Sequence, residues 1–169
     1  GDGIESRVET PWGVSSLYQA GVYRLRPGRL QLHGLLDDFM GPGNPWGIVF
    51  DDWGQSLVVD GAGGISYLTP ASIPAKHRLR LDRIGNPGGY CGVEMINGRH
   101  LPESMQGQFV LNDFKSNTVK RFALMPEGSG FKLDWKEPVL KSSHRNFRPV
   151  DIRIGPDGAI YIADFYNSI

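Results

Sequence analysis

GQSLVVD at Gly54–Asp60, GQFVLND at Gly107–Asp113 and GAIYIAD at Gly158–Asp164 decide how this chain reads. Each is a glycine, a residue or two, a mostly apolar run, and an aspartate six residues after the glycine. The glycines stand 53 and 51 residues apart. A short β-branched and aromatic run between turn residues reads as a strand. A strand that returns at a near-constant interval reads as part of a repeated supersecondary unit.

Working outward, WGIVFDDWGQSLVVD (Trp46–Asp60) is a strand, an Asp-Asp-Trp-Gly turn and a second strand. VDIRIGPDGAIYIAD (Val150–Asp164) has the same form around Gly-Pro-Asp-Gly. Ile48–Gly54 and Ile152–Gly158 superimpose without a gap at an offset of 104 residues. Between them, Cys91–Leu124 carries a strand, a longer loop, the GQFVLND strand and a third strand at Thr118–Leu124. After Asp113 a polar turn (FKSN) leads into that third strand, and GAGGISYLT after Asp60 and FYNSI after Asp164 are the matching pieces. Upstream, Gly21–Leu36 alternates apolar and polar residues around Pro27-Gly28 and reads as a hairpin. Thr69–Tyr90 is a connector with three prolines. No amphipathic helix stands out.

A unit of roughly 40–50 residues with three or four strands is the mark of a β-propeller blade. One twisted sheet cannot bury both faces alone, and stacking blades around an axis buries them. The expected fold is therefore all-β, a partial β-propeller of three to four blades. Blade segments are expected at about 1–43, 44–90, 91–147 and 148–169. The competing reading is a β-sandwich with coincidental spacing. Propellers close with about four to eight blades, so the ring needs further blades from the intact chain or another chain.

Composition narrows the partners. Eighteen basic and eighteen acidic residues balance, which argues against nucleic acid or an anionic membrane surface. The 23 glycines and 12 prolines are spread among apolar residues, which indicates turns rather than disorder. No stretch approaches the ~20 apolar residues of a membrane span. No signal peptide is visible; the chain opens at Gly1 without methionine and stops just after a strand, so both ends read as cuts. The single cysteine, Cys91, excludes an internal disulfide and a cysteine-based metal cluster. It reads as a small buried residue or, alternatively, as a nucleophile or covalent cofactor anchor.

The aspartates that end the repeated strands read first as architecture, because all three positions are occupied and aspartate shapes turns. The start of the preceding strand differs. In a propeller it faces the central channel, where ligands sit. Asn44 (GNPWG) and Arg148 (NFRPVD, with Asp151 nearby) occupy equivalent positions, each before a proline that favours extended backbone. Polar or cationic side chains there suit an anionic or carbonyl-rich ligand; a turn asparagine and a surface arginine are the plain alternative.

Taken together, NPWGIVFDDWGQ, GVEMINGRHLPESMQGQFVLND and NFRPVDIRIGPDGAIYIADFYN resemble the propeller family of bacterial sorbosone and aldose sugar dehydrogenases. They are most similar to a large bacterial branch of membrane-bound dehydrogenases whose propeller is often followed by helical repeats and a haem c domain. The likeness runs over most of the chain from about Gly21. It implies pyrroloquinoline quinone held over the channel with a calcium ion. Lys115 (LNDFKSN) and Arg148 match positions that bind the quinone carboxylates, and Asn44 matches an asparagine on the cofactor. Asp60, Gly61 and Ala62 match the loop whose backbone carbonyls help to hold calcium. Cations suit a tricarboxylate, and calcium takes oxygen ligands and polarises a quinone.

Two departures stand out. Gly43 replaces the arginine that usually precedes the asparagine, and the family's catalytic histidine, which belongs to an earlier blade, is not assigned: His33 lies in a hairpin, His77 in a connector, and His100 and His144 read as surface loop residues. A haem-attachment C-x-x-C-H is also absent. The expected function is a section of a quinone-dependent sugar or aldehyde dehydrogenase exported to the periplasm. The alternative is a non-catalytic propeller that binds a carbohydrate or protein. A calcium hydrolase would need Asp60, Asp113 and Asp164 to point into the channel.

Overall fold

The computed structural model describes residues 6–17, 21–37, 44–61, 64–68, 84 and 88–168. Among them are thirteen strands and no α-helix. The connector at 69–83 and His77 lie outside the described residues. Strands β1 (Ser6–Thr10) and β2 (Gly13–Leu17) form one antiparallel pair. Strands β3 (Gly21–Arg26) and β4 (Gln31–Asp37) form the expected hairpin, closed by a 3-10 turn at Pro27–Arg29 and by Leu30 at φ 49°.

The repeated stretches follow. Strands β5 (Pro45–Phe50), β6 (Ser56–Asp60) and β7 (Gly64–Leu68) are a three-stranded meander. Strands β8 (Tyr90–Met95), β9 (Phe109–Asp113), β10 (Thr118–Glu127) and β11 (Gly130–Lys141) make a four-stranded meander in chain order. Strands β12 (Pro149–Ile154) and β13 (Ile160–Asp164) pair as the next unit. Thus β6, β9 and β13 sit second in three separate sheets.

The glycine that opens each repeat has a definite task. Gly54, Gly107 and Gly158 all adopt positive φ, at 77°, 72° and 79°. That left-handed backbone costs glycine nothing and other residues more than a kilocalorie, by about 1–2 kcal/mol. Each closes the same turn. Gly54 N–H donates to Asp51 O, Gly107 N–H to Ile96 O and Gly158 N–H to Gly155 O. The residue after each glycine returns the bond: Gln55 O, Gln108 O and Ala159 O accept from Asp51, Ile96 and Gly155. The eight extra residues between Ile96 and Gly107 leave this closure unchanged.

The middle sheet is buried on both faces. Phe109, Leu111 and Phe122 join Val49, Leu57, Val59 and Ile65 of the β5–β7 sheet in one cluster. The alternate residues Val110 and Val119 join Ile152 in a second cluster, with Ile160 and Ile162 packed against it. Period-two alternation with both faces apolar is what a sheet between two sheets requires.

The first strands of the sheets lie side by side. A Cβ built on Gly47 in β5 would come within 2.7 Å of Cys91 O in β8. One built on Gly92 in β8 would come within 2.7 Å of Asp151 Cα and 2.8 Å of Ile152 N in β12. Glycine permits this backbone approach. Meander sheets packed face to face, with their first strands adjacent, are the blades of a partial β-propeller.

The triplet in β13 departs from its equivalents. Leu57–Val59 and Phe109–Leu111 are buried, whereas Tyr161 is exposed and Ile160 and Ile162 are half-buried. Here β13 pairs only with β12, and no further sheet covers its outer face among the described residues. The strand β11 is an element that the repeat pattern does not reveal. Its Pro138 lies where the β10–β11 register slips, between Val119↔Leu140 and Arg121↔Lys136. Proline is tolerated on an outer strand.

Candidate functional site

Antiparallel pairing brings the start of each blade's first strand beside the end of its second. Pro45 faces Asp60, Tyr90 faces Asp113, and Pro149 faces Asp164. Both ends therefore meet at one rim. A repeated bond ties them: Gly61 N–H donates to Asn44 O, Phe114 N–H to Gly89 O, and Phe165 N–H to Arg148 O, at 2.9–3.0 Å. Asn44, Gly89 and Arg148 are thus one structural position, and Lys115 and Tyr166, each two residues beyond its aspartate, are another.

The aspartates serve the backbone. Asp60 Oδ2 accepts the Asn44 N–H at 3.3 Å. Asp164 Oδ1 accepts from Arg148 N–H at 2.7 Å and Tyr166 N–H at 3.0 Å. Asp113 Oδ1 accepts from Lys115 and Ser116, while its Oδ2 is ion-paired to Lys120 Nζ at 2.7 Å. Burial alone raises the Asp113 pKa, yet the Lys120 and Ser116 bonds outweigh it and hold the carboxyl below the ordinary value. These carboxylates shape turns and do not form a calcium cluster of the hydrolase kind. Among the described residues no three His, Cys, Asp or Glu side chains gather as a metal site.

The rim brings together the residues expected to contact a cofactor. Lys115 is exposed, and its side chain forms no ion pair among the described residues. Its stem lies over Gly89, where an added Cβ would be 2.5 Å from Lys115 Cγ and 2.8 Å from the Phe114 ring. The absent side chain at Gly89 makes the room that Lys115 occupies. Asn44 Nδ2 and Trp46 Nε1 lie beside Gly61, at 3.2 and 2.8 Å from the position of an added Cβ. Trp46, about half exposed, meets Phe114 at a centroid distance of 6.4 Å.

Arg148 is held differently. It is buried, Nη1 donates to Phe114 O at 2.6 Å, and Nε donates to Asn167 O at 3.1 Å. Its guanidinium is therefore engaged with the loops after β9 and β13. His144 stacks on Tyr166 near this rim, with ring centroids 5.6 Å apart. His100, exposed, packs over Gly158 at the opposite end, and His33 lies in β4.

Tested against a carboxylate-rich quinone, the rim fits in part. The exposed ammonium of Lys115 and the amide of Asn44 suit anionic and carbonyl oxygens. Arg148 is less suited, because protein carbonyls already take two of its donors. For calcium, Oδ2 of Asp60 accepts the Asn44 N–H, and the expected donors are backbone carbonyls of the loop after β6, of which Ala62 lies outside the described residues.

Cys91 is resolved by its surroundings. It is fully buried, its Sγ donates to Pro149 O at 3.1 Å, and burial pushes its thiol up to about 11. A thiol protonated at neutral pH and closed off from solvent is a packing residue and not a nucleophile. Sequence reasoning missed the Lys120–Asp113 pair and the role of Gly89. The basic residue two into β10 and the Gly-Gly before β8 are the signals that carry them.

Solved structures similar to this chain are sugar dehydrogenases. The soluble aldose sugar dehydrogenase of Escherichia coli in its apo form matches with a TM-score of 0.57 and 16% identity, over 83% of this chain and 45% of that one. A glucose dehydrogenase matches with a TM-score of 0.54 and 19% identity, over 79% and 39%. Another glucose dehydrogenase crystal structure matches with a TM-score of 0.55 and 19% identity, over 79% and 44%. The chain thus spans roughly two fifths of these structures, and the likeness is one of fold. A search of curated proteins finds no significant relative. Residues 56–169 match the domain of unknown function DUF7133, so the blades and rim described above belong to a member of that family.

Proposed function

We propose that this chain is a section of a pyrroloquinoline-quinone-dependent sugar or aldehyde dehydrogenase, exported to the periplasm, whose cofactor sits on the rim formed by Asn44, Gly89, Lys115 and Arg148. The observation that carries the reading is Lys115. It is an exposed cation without an acidic partner among the described residues, seated over a glycine at the strand-start position. Asn44 occupies that same position one blade earlier. The sugar-dehydrogenase fold of the similar structures supports the same reading.

In this reading a bound quinone would supply the hydride acceptor for oxidation of a sugar or aldehyde. The chain's own residues hold it. The Lys115 ammonium would pair with a carboxylate, and Asn44 Nδ2 would donate to a carbonyl or carboxylate oxygen. Trp46 and Phe114 supply apolar surface that excludes water and strengthens both interactions. Calcium would take carbonyl oxygens from the loop after β6.

Titration of the full-length apoprotein with the quinone and calcium tests this, with cofactor absorbance as the signal. Saturable binding that falls about ten- to a hundredfold in Lys115→Met is expected, the value of a hydrogen bond to a charged group. Absence of saturable binding, or equal binding after the substitution, overturns it. A second reading, a non-catalytic propeller that binds a carbohydrate or protein, draws support from the carbonyl partners of Arg148 and from Gly43 in place of the family's arginine.

A further inference from the structure

We infer that Arg148 is a positioning residue, which fixes the backbone that carries Lys115 and is not itself the cation that meets the ligand. The peptide unit between Phe114 and Lys115 is held at both of its polar atoms. Its carbonyl accepts from Arg148 Nη1 at 2.6 Å, and its N–H donates to Asp113 Oδ1 at 3.1 Å. One residue earlier, Phe114 N–H donates to Gly89 O at 2.9 Å. These bonds leave the Cα of Lys115 little freedom, and the packing of its stem over Gly89 then directs the ammonium along the rim.

While Nη1 reaches the neighbouring blade, Nε of the same guanidinium bonds within its own. Nε donates to Asn167 O at 3.1 Å, in the loop where Tyr166 adopts φ 46° and donates its N–H to Asp164 Oδ1. A left-handed tyrosine is strained and persists only when its surroundings hold it. One side chain thus ties together the two loops that follow β9 and β13. A planar fork with donors in fixed directions can bridge two carbonyls, whereas a lysine at the same place is a single point donor.

The clamp stands on this geometry alone. Its effect on a ligand rests on the quinone reading above, so the two are tested separately. Four variants of the full-length protein suffice: Lys115→Met, Arg148→Met, Arg148→Lys and the double Lys115→Met/Arg148→Met. Hydrogen–deuterium exchange of peptides covering 114–117 and 165–168 reads the clamp without any ligand. Both segments are expected to exchange at least about tenfold faster in Arg148→Met, the loss of one or two hydrogen bonds of the charge-assisted kind. Arg148→Lys should exchange nearly as fast, and Lys115→Met at the wild-type rate. Unchanged exchange in both Arg148 variants overturns the inference.

Quinone titration in the presence of calcium reads the consequence. If Arg148 acts through Lys115, each single substitution weakens binding and the double variant is no weaker than Lys115→Met, within about twofold, because coupled residues are not additive. Losses that multiply in the double variant, or near wild-type affinity in Arg148→Lys, would make Arg148 a direct charge contact and overturn the inference. If wild-type protein binds no quinone, the cofactor reading fails, and the exchange measurement still decides the clamp. Should Arg148→Met fail to fold, Arg148→Lys carries both measurements.

Discussion

Replacing Lys120 by methionine would expose what holds the middle blade together. Lys120 Nζ sits 2.7 Å from Asp113 Oδ2 and lies 5.3 and 5.5 Å from the ring centroids of Tyr90 and Trp135. At that separation and an effective dielectric near 20, the gross attraction is about 6 kcal/mol. Desolvation opposes it, most strongly for Asp113, whose side chain is only 4% exposed. Removing one partner of a fully buried pair costs about 3–5 kcal/mol. Lys120 keeps 31% of its side chain in solvent, and the Lys115 and Ser116 N–H groups still hold the orphaned carboxylate. The expected loss at pH 7 is therefore about 2–3 kcal/mol, below the fully buried figure.

Urea unfolding followed by tryptophan fluorescence, at pH 7 and again near pH 3, checks this pair. The folded Asp113 pKa lies below 3.8, so its contribution is complete above the unfolded value and is lost as pH falls through the folded one. In Lys120→Met the desolvation of Asp113 is no longer opposed by that partner, and the penalty should shrink on acidification as the carboxyl takes up a proton. At the other extreme, hydrogen bonding and charge from Asp113 raise the Lys120 pKa above 10.5 against the opposing effect of burial. Its stabilisation is full below 10.5 and fades as pH climbs through the folded value. A variant as stable as wild type at pH 7, or a penalty that stays constant from pH 7 to 3, would refute the reasoning.

Gly107→Ala and Gly92→Ala should separate two uses of glycine. An added Cβ on Gly107 meets nothing within 4 Å, so the cost is the left-handed φ alone, about 1–2 kcal/mol. On Gly92 the methyl would strike the β12 backbone, and the cost should reach about 3 kcal/mol or more; equal melting temperatures for the two would contradict this. Phe122→Ala removes a ring stacked on Phe109 at 5.2 Å and should destabilise by about 3–5 kcal/mol in urea titrations. Cys91 should react with a thiol reagent orders of magnitude more slowly in native than in unfolded protein; prompt labelling of native protein would show that the seam between β8 and β12 is open.

The repeat was legible because it is local. Turn glycine, apolar strand and closing aspartate occupy fixed positions in seven residues, and the same backbone bonds recur at all three. The outer strand β11 was not: Phe131–Lys136 alternates apolar and charged residues, but Glu137 and Pro138 then break the alternation midway through the strand. The partners of Arg148 were hidden for another reason. Phe114 O is 34 residues away along the chain and Asn167 O is 19, and both are backbone atoms of unremarkable loop residues. Carbonyl partners such as these leave no complementary residue type to find in the sequence.

That difference suggests how function is written on a repeated frame. Where the three blades agree, as in the aspartates and the glycines at positive φ, the residues keep the backbone in register. Chemistry has room only where equivalent positions disagree. The strand-start position holds Asn44, Gly89 and Arg148; the position two beyond the aspartate holds Lys115 and Tyr166. The substitutions at these two positions are coupled. Gly89 lacks the side chain its equivalents carry, and Lys115 lies in the space; Arg148 is long enough to reach back and hold the peptide of Lys115. A single Gly89→Asn substitution, which would restore the residue type of the first blade, tests that coupling without touching Lys115. The added side chain would enter the space of Lys115 Cγ and the Phe114 ring, 2.5 and 2.8 Å from the new Cβ. Because Gly89 O also anchors Phe114 N–H, the strand pairing of β8 and β9 should survive while Lys115 is displaced. A circular dichroism spectrum like wild type with exchange accelerated only at 114–116 is the expected outcome. Unchanged exchange there would mean that Lys115 does not depend on the bare glycine, and the rim would be three independent positions.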